Sequence, residues 1–101
     1  MGVTKHGKKR LKQRCHVKKK AAKKTAKKAF NDGLKHCETK GDLNRWLTKI
    51  YFKNPRANNL RVYHDNVYIF SNKTLITVFP IPLDIKEHLE EMIVKPSREV
   101  C

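Results

Sequence analysis

Negative charge is what this chain has least of. Nine Asp and Glu stand against 24 Lys and Arg in 101 residues, and none of the nine falls within residues 1–28. Long apolar runs are missing too: nothing approaches the ~20 residues of a membrane-spanning helix, which argues against a membrane protein. No apolar stretch follows the N-terminal charges, so a secretory signal is not expected. The three cysteines, Cys15, Cys37 and Cys101, form no Cys-x-x-Cys pair. They suggest neither a disulfide framework nor a zinc knuckle, and point to a reducing, cytoplasmic setting. The few carboxylates are scattered, so a metal site, and with it two-metal nuclease chemistry, is not expected. No cofactor motif or internal repeat is visible.

What is present is unevenly distributed. Of the 24 basic residues, 13 lie in residues 1–28, and the remaining 73 residues carry a balance of only +2 within the total of +15. At 11.8 kDa and 39% apolar there is material for one small domain over residues 1–101, with one modest core. So much charge on so short a chain repels itself unless a polyanion neutralises it, and nucleic acid is the first candidate.

Residues 1–33 read as a basic helical hairpin. Thr4 can cap the first helix. The second runs from about Lys18 to Asn31 and stops at Gly33, expected in the left-handed conformation. At 100° per residue Ala22, Thr25, Ala26, Ala29 and Phe30 share one side, and Lys20, Lys23, Lys24, Lys27 and Lys28 the other. The plainer alternative is a disordered Lys/Ala tail or a targeting run. A third helix over 41–53 follows from Leu43, Trp46, Leu47 and Ile50, with Asp42 as its cap and Pro55 beyond its end. Leu60–His64, Val67–Ser71 and Thr74–Phe79 read as an antiparallel meander over 59–79. Asp84 and Glu87 have capping-box spacing for a C-terminal helix over 84–94. The layout is α+β: basic helices and a third helix packed on one face of a three- to four-stranded antiparallel sheet, whose other face is partly open.

His6, Arg10 and Arg14 recur every fourth residue, so the three side chains share one flank of a helix over about 12 Å. Imidazole can move a proton near neutral pH and guanidinium holds phosphate bidentately, which are the parts of metal-free RNA cleavage. Chance spacing in a solvated basic helix is the plainer explanation. Arg61 with Tyr63 suggests contact with RNA from the sheet, and Thr77 could bond a phosphate or fill a strand position. Tyr68 and Phe70 read as core. His16, His36, His64 and His88 read as surface or turn residues.

The run Thr4-Lys5-His6-Gly7-Lys8-Lys9-Arg10, followed by Arg14, resembles the His-Ala-x-x-Arg-x-x-x-Arg opening of a family of small, mostly uncharacterised bacterial and phage proteins. Ala29-Phe30-Asn31-Asp32-Gly33 resembles the end of their second helix. Asn58–Tyr63, Val67–Phe70 and Leu75–Val78 are similar to their closing meander. These proteins look like the group of small α+β endoribonuclease folds that includes RelE, BrnT, colicin D and barnase. The resemblance implies a toxin-like, metal-independent endoribonuclease without a cofactor. His6 would be acid or base, Arg10, Arg14 and Arg61 phosphate ligands, and Tyr63 and Thr77 the site's lining. The sequence departs at Gly7, where relatives carry Ala and where a mid-helix glycine costs up to about 1 kcal/mol.

Two functional readings stand from the sequence. One is an RNA-binding protein that also cleaves, with His6, Arg10, Arg61 and Tyr63 as catalytic residues. Arg14, Lys20, Lys23, Lys24, Lys27, Lys28 and Thr77 would bind nucleic acid. The other is a non-enzymatic mobile-element or phage protein that occupies RNA or a host ribonucleoprotein, such as a ribosome-associated factor or an anti-CRISPR inhibitor. An acidic antitoxin or a host protein is a possible partner of either, and neither needs a membrane. In a third, minor alternative residues 1–28 are a dispensable targeting tail.

Overall fold

A computed structural model describes residues 2–93. Its elements in chain order are β1 (Gly2–Val3), α1 (Lys5–Cys15), α2 (Ala22–Asp32), β2 (Leu34–Lys35), α3 (Gly41–Lys53), β3 (Asn59–Tyr63), β4 (Asn66–Ser71), β5 (Thr74–Pro80) and α4 (Leu83–Lys86). Short 3₁₀ turns occupy Lys19–Ala21, His36–Glu38 and Leu89–Met92. The class is α+β. The expected C-terminal helix is split between α4 and the last of these turns, and position 94 lies outside the described residues.

The sheet has five strands in the order β1-β5-β4-β3-β2, with β1 parallel to β5 and all other pairs antiparallel. The meander is as read from sequence. Its first turn holds His64 and Asp65 at φ 46° and 63°, the mirror-image geometry that matches the twist of a two-residue hairpin. The two-residue edge strands β1 and β2 are additions, since pairs this short carry no alternation to read.

Both faces of the sheet are covered, which corrects the expectation of an open face. Strand alternation sends Leu60, Val62, Val67 and Ile69 to one side, where Leu43, Leu47 and Ile50 of α3 meet them together with Ile81 and Ile85. It sends Tyr68, Phe70, Leu75 and Val78 to the other, under Leu11 of α1 and Ala22, Ala26 and Ala29 of α2. A bulge between Ile69 and Phe70 keeps Leu75 and Val78 on that second side.

Three local expectations are corrected. Gly33 is extended (φ −69°, ψ 155°), not left-handed, and its backbone N–H bonds to Ala29 O. Glycine is required there for room: a Cβ would overlap Ala29 O and crowd Arg61 Cβ. Asp42 is not a cap but lies in the first turn of α3, paired with Arg45 at 2.9 Å on the surface. Asp84 does not cap α4, whose N-cap is Pro82.

The basic hairpin is part of the fold. Thr4 Oγ1 accepts the Gly7 N–H at 3.0 Å and donates to Ile76 O at 3.3 Å, while the Thr4 N–H bonds to Leu75 O at 3.0 Å. One residue therefore caps α1 and fastens it to β5. His16 turns the chain in the left-handed region (φ 56°) and closes the helix on Leu11 O.

Candidate nucleic-acid interface

Burial of Gly7, Leu11, Ala22, Ala26 and Ala29 against the sheet fixes the rotation of both basic helices. Rotation then decides where the cations go. Lys5, Lys9 and Lys12 of α1, Lys18, Lys19 and Lys20 of the connection, and Lys23, Lys24, Lys27 and Lys28 of α2 are all exposed. The ion pairs among the described residues, Arg45–Asp42, Lys86–Asp65 and His88–Glu91, all lie elsewhere.

This surface works against itself. Lys23/Lys27 and Lys24/Lys28 are like charges one turn of α2 apart, each pair costing some 0.2–0.5 kcal/mol. Lys23 and Lys24 also sit in the first turn of α2, where the helix dipole disfavours cations and no acid offsets them. Packing holds α2 in place, and an anionic polymer on its outer side would relieve both effects.

His6 and Arg10 stand together on the exposed flank of α1. Arg10 Nε donates to His6 Nε2 at 3.3 Å, and its Nη1 donates to Gln13 Oε1 at 3.0 Å. His6 Nε2 therefore accepts, leaving the ring proton on Nδ1.

Arg14 and Arg61 are occupied by the protein itself. Arg14 Nη1 bonds to Val78 O at 2.7 Å, and its guanidinium lies 5.0 Å from the Phe79 ring centre. Arg61 is only 8% exposed; it donates from Nε to Phe30 O (3.1 Å) and from Nη1 to Leu60 O (3.0 Å), and stacks 4.7 Å from the Phe30 ring. It thus closes the C-terminal end of α2, where a cation favours the dipole. Burial lowers the pKa of both guanidinium groups, and the nearby Arg10 adds to the effect at Arg14.

The two guanidinium groups also occupy equivalent places in the sheet. Among the described residues β1 pairs with Thr74 and Leu75 and β2 with Arg61 and Val62, so β5 and β3 each keep a stretch with no neighbouring strand among those residues. Arg14 and Arg61 each bond a carbonyl of one of these strands.

Tyr63 packs edge-on against Tyr68, whose hydroxyl donates to Cys15 Sγ at 3.6 Å near the C-terminal end of α1. His6 is nine positions back, ~14 Å along the helix axis. Burial pushes the Tyr68 phenol pKa up, aided by its bond to Cys15. Thr77 is 5% exposed, and its Oγ1 has no hydrogen-bond partner among the described residues. So the structure brings His6 and Arg10 together and gathers the lysines onto one surface. It does not join Arg61, Tyr63 or Thr77 to either: among the described residues no hydrogen bond or ring contact links them to His6 or Arg10.

A cavity of about 470 Å³ opens between α3, the His36–Glu38 turn and the start of β3, lined by Lys35, His36, Thr48, Tyr51, Asn58 and Asn59, among others. His36, a surface residue by sequence, is half-buried here. Its Nε2 lies 3.0 Å from Thr48 Oγ1, and desolvation lowers its pKa. A signal for this cavity existed: Asn44, Thr48 and Tyr51, spaced i, i+4, i+7, form a polar stripe beside the apolar one of α3. Cys15 is a free thiol, half-buried at the end of α1.

Among the described residues no helix is long and apolar enough to cross a membrane, and no group of three or more His, Cys, Asp or Glu could hold a metal ion. No protein-family model, curated protein or solved structure matches the chain.

Proposed function

We propose that this protein binds RNA, laying the phosphate backbone across the exposed cationic surface of α1, α2 and their connection. One observation carries the reading: the basic hairpin is fastened to the sheet by Thr4, Leu11 and the α2 alanines, and its lysines face outward, in no ion pair among the described residues. Backbone-directed binding of this kind needs fixed cations and little else. Binding without cleavage is favoured over catalysis, because Arg61 and Thr77 are buried and Tyr63 sits towards the far end of α1 from His6 and Arg10.

The test is anisotropy of an end-labelled single-stranded RNA in EDTA between 50 and 200 mM salt. Binding is expected to weaken steeply with salt. Replacing Lys23, Lys24, Lys27 and Lys28 by Gln is expected to reduce the log–log slope by up to ~3, at ~0.7 for each phosphate left without its cation. A flat salt response sinks the proposal. Cleavage of the label that disappears in both His6→Ala and Arg10→Ala would turn the reading to an enzyme.

A further inference from the structure

We infer that the cavity between α3 and β3 is a nucleotide pocket, receiving one base and its phosphate from the strand bound along α2. The inference rests on the RNA-binding reading and names a second, short-range contact within it.

The cavity suits a planar, hydrogen-bonding, anionic ligand. Its volume, about 470 Å³, falls in the range of small-molecule sites. Tyr51 is 40% exposed and supplies a ring on which a base can stack. Lys35 supplies an exposed cation at the rim, and no Asp or Glu is among the described lining residues. Glu38, one turn further on, is tied by its Oε1 to the Lys35 backbone N–H at 2.9 Å.

The hydrogen-bonding groups are fixed in advance. Thr48 Oγ1 donates to Asn44 O at 2.8 Å, so its contact with His36 must be one in which the imidazole Nε2–H donates. Neutral His36, favoured by the lowered pKa, then keeps Nδ1 as an acceptor. Asn58 and Asn59 are locked with Asn72: Asn58 Nδ2 bonds to Asn72 Oδ1 (2.9 Å), and Asn59 Nδ2 to Asn58 Oδ1 (3.0 Å) and Asn72 O (3.2 Å). Those bonds leave Asn59 Oδ1 as a positioned acceptor. Acceptors beside an aromatic ring are what reads the amino edge of a base.

Position completes the case. Arg61 lines this cavity and stacks on Phe30 near the end of α2, so the pocket lies where the lysine surface of α2 runs out. A strand lying along Lys20 to Lys28 arrives at Lys35.

The test uses the full chain. Amide and side-chain resonances are followed by NMR as the four nucleoside 5′-monophosphates, ribose 5-phosphate and inorganic phosphate are added separately. The expected result is saturable shifts at His36, Thr48, Tyr51 and Asn59 with at least one nucleotide. Tyr51→Ala is expected to weaken this binding about tenfold. Tyr51→Phe is expected to preserve it, with spectra of both variants showing an intact fold. Shifts confined to the α1–α2 lysines, or equal affinity for inorganic phosphate, overturn the pocket while leaving RNA binding intact. Nucleotide binding in a chain whose RNA affinity proves insensitive to salt would uphold the pocket and remove the polymer reading.

Discussion

Single residues carry much of the structure's specificity, and Gly7 is the clearest case. A Cβ there would stand 2.8 Å from Leu75 O and 3.1 Å from Val3 Cγ1, because Thr4 draws the helix down onto β5. Gly7→Ala gains ~1 kcal/mol of helix propensity yet pushes α1 off the sheet, so a net loss of about 1–2 kcal/mol is expected as a lower urea midpoint at unchanged m. Arg61 is equally specific. Lysine would keep its charge but cannot serve Phe30 O and Leu60 O with the same planar fork, and Arg61→Lys is expected to cost about 1–2 kcal/mol by the same measurement. His36 supplies a pH dependence. Its pKa in the folded chain lies below the ordinary 6.5, so the unfolded chain binds the extra proton first. The stability it protects is fully present above 6.5 and falls as pH drops from there towards the folded value. His36→Gln is expected to flatten urea midpoints measured between about pH 7.5 and 5.5.

At the level of elements, truncation is the decisive change. Removing residues 1–33 would strip the cover from Tyr68, Phe70, Leu75 and Val78, all of them fully or almost fully buried. The remainder is expected to lose cooperative unfolding and to bind a hydrophobic dye, where a mere tail would leave a dispersed amide spectrum. The helices and the meander were legible because each repeats its pattern over several turns or alternations: Ala22, Ala26 and Ala29; Leu43, Leu47 and Ile50; Val67 to Phe70. β1 and β2 were not, since two residues hold no period. The covering of both sheet faces was hidden by Arg61, whose charge suggested solvent although its stem and ring-stacked head are buried. The lysine surface could be read from 100° geometry alone. The separation of Arg61 and Tyr63 from His6 could not, because it depends on which flank of α1 meets the sheet. The cavity at His36 lay in an unmarked stripe of Asn44, Thr48 and Tyr51 beside a stronger apolar signal.

The molecule as a whole is a +15 body with its charge gathered on one hairpin. Self-repulsion there opposes folding, while the same cations attract a polymer of phosphates. Added salt should therefore act in two directions: between about 20 and 300 mM NaCl the thermal midpoint is expected to rise by calorimetry, even as RNA affinity falls. At low salt a short RNA that prefers the folded hairpin to the unfolded chain should replace the salt and raise the midpoint by itself. Arg14 and Arg61 add a different consequence. They sit where β5 and β3 run past their short neighbours, at the two places where another copy could add a strand and continue the ladder. Each guanidinium engages a carbonyl that an added strand would need, so each obstructs pairing at its edge. A doubly lysine-substituted chain, Arg14→Lys with Arg61→Lys, would carry the same charge and lose both stoppers. In concentrated solution, with a polyanion to quiet the mutual repulsion, that chain should lengthen into filaments more readily than the native one.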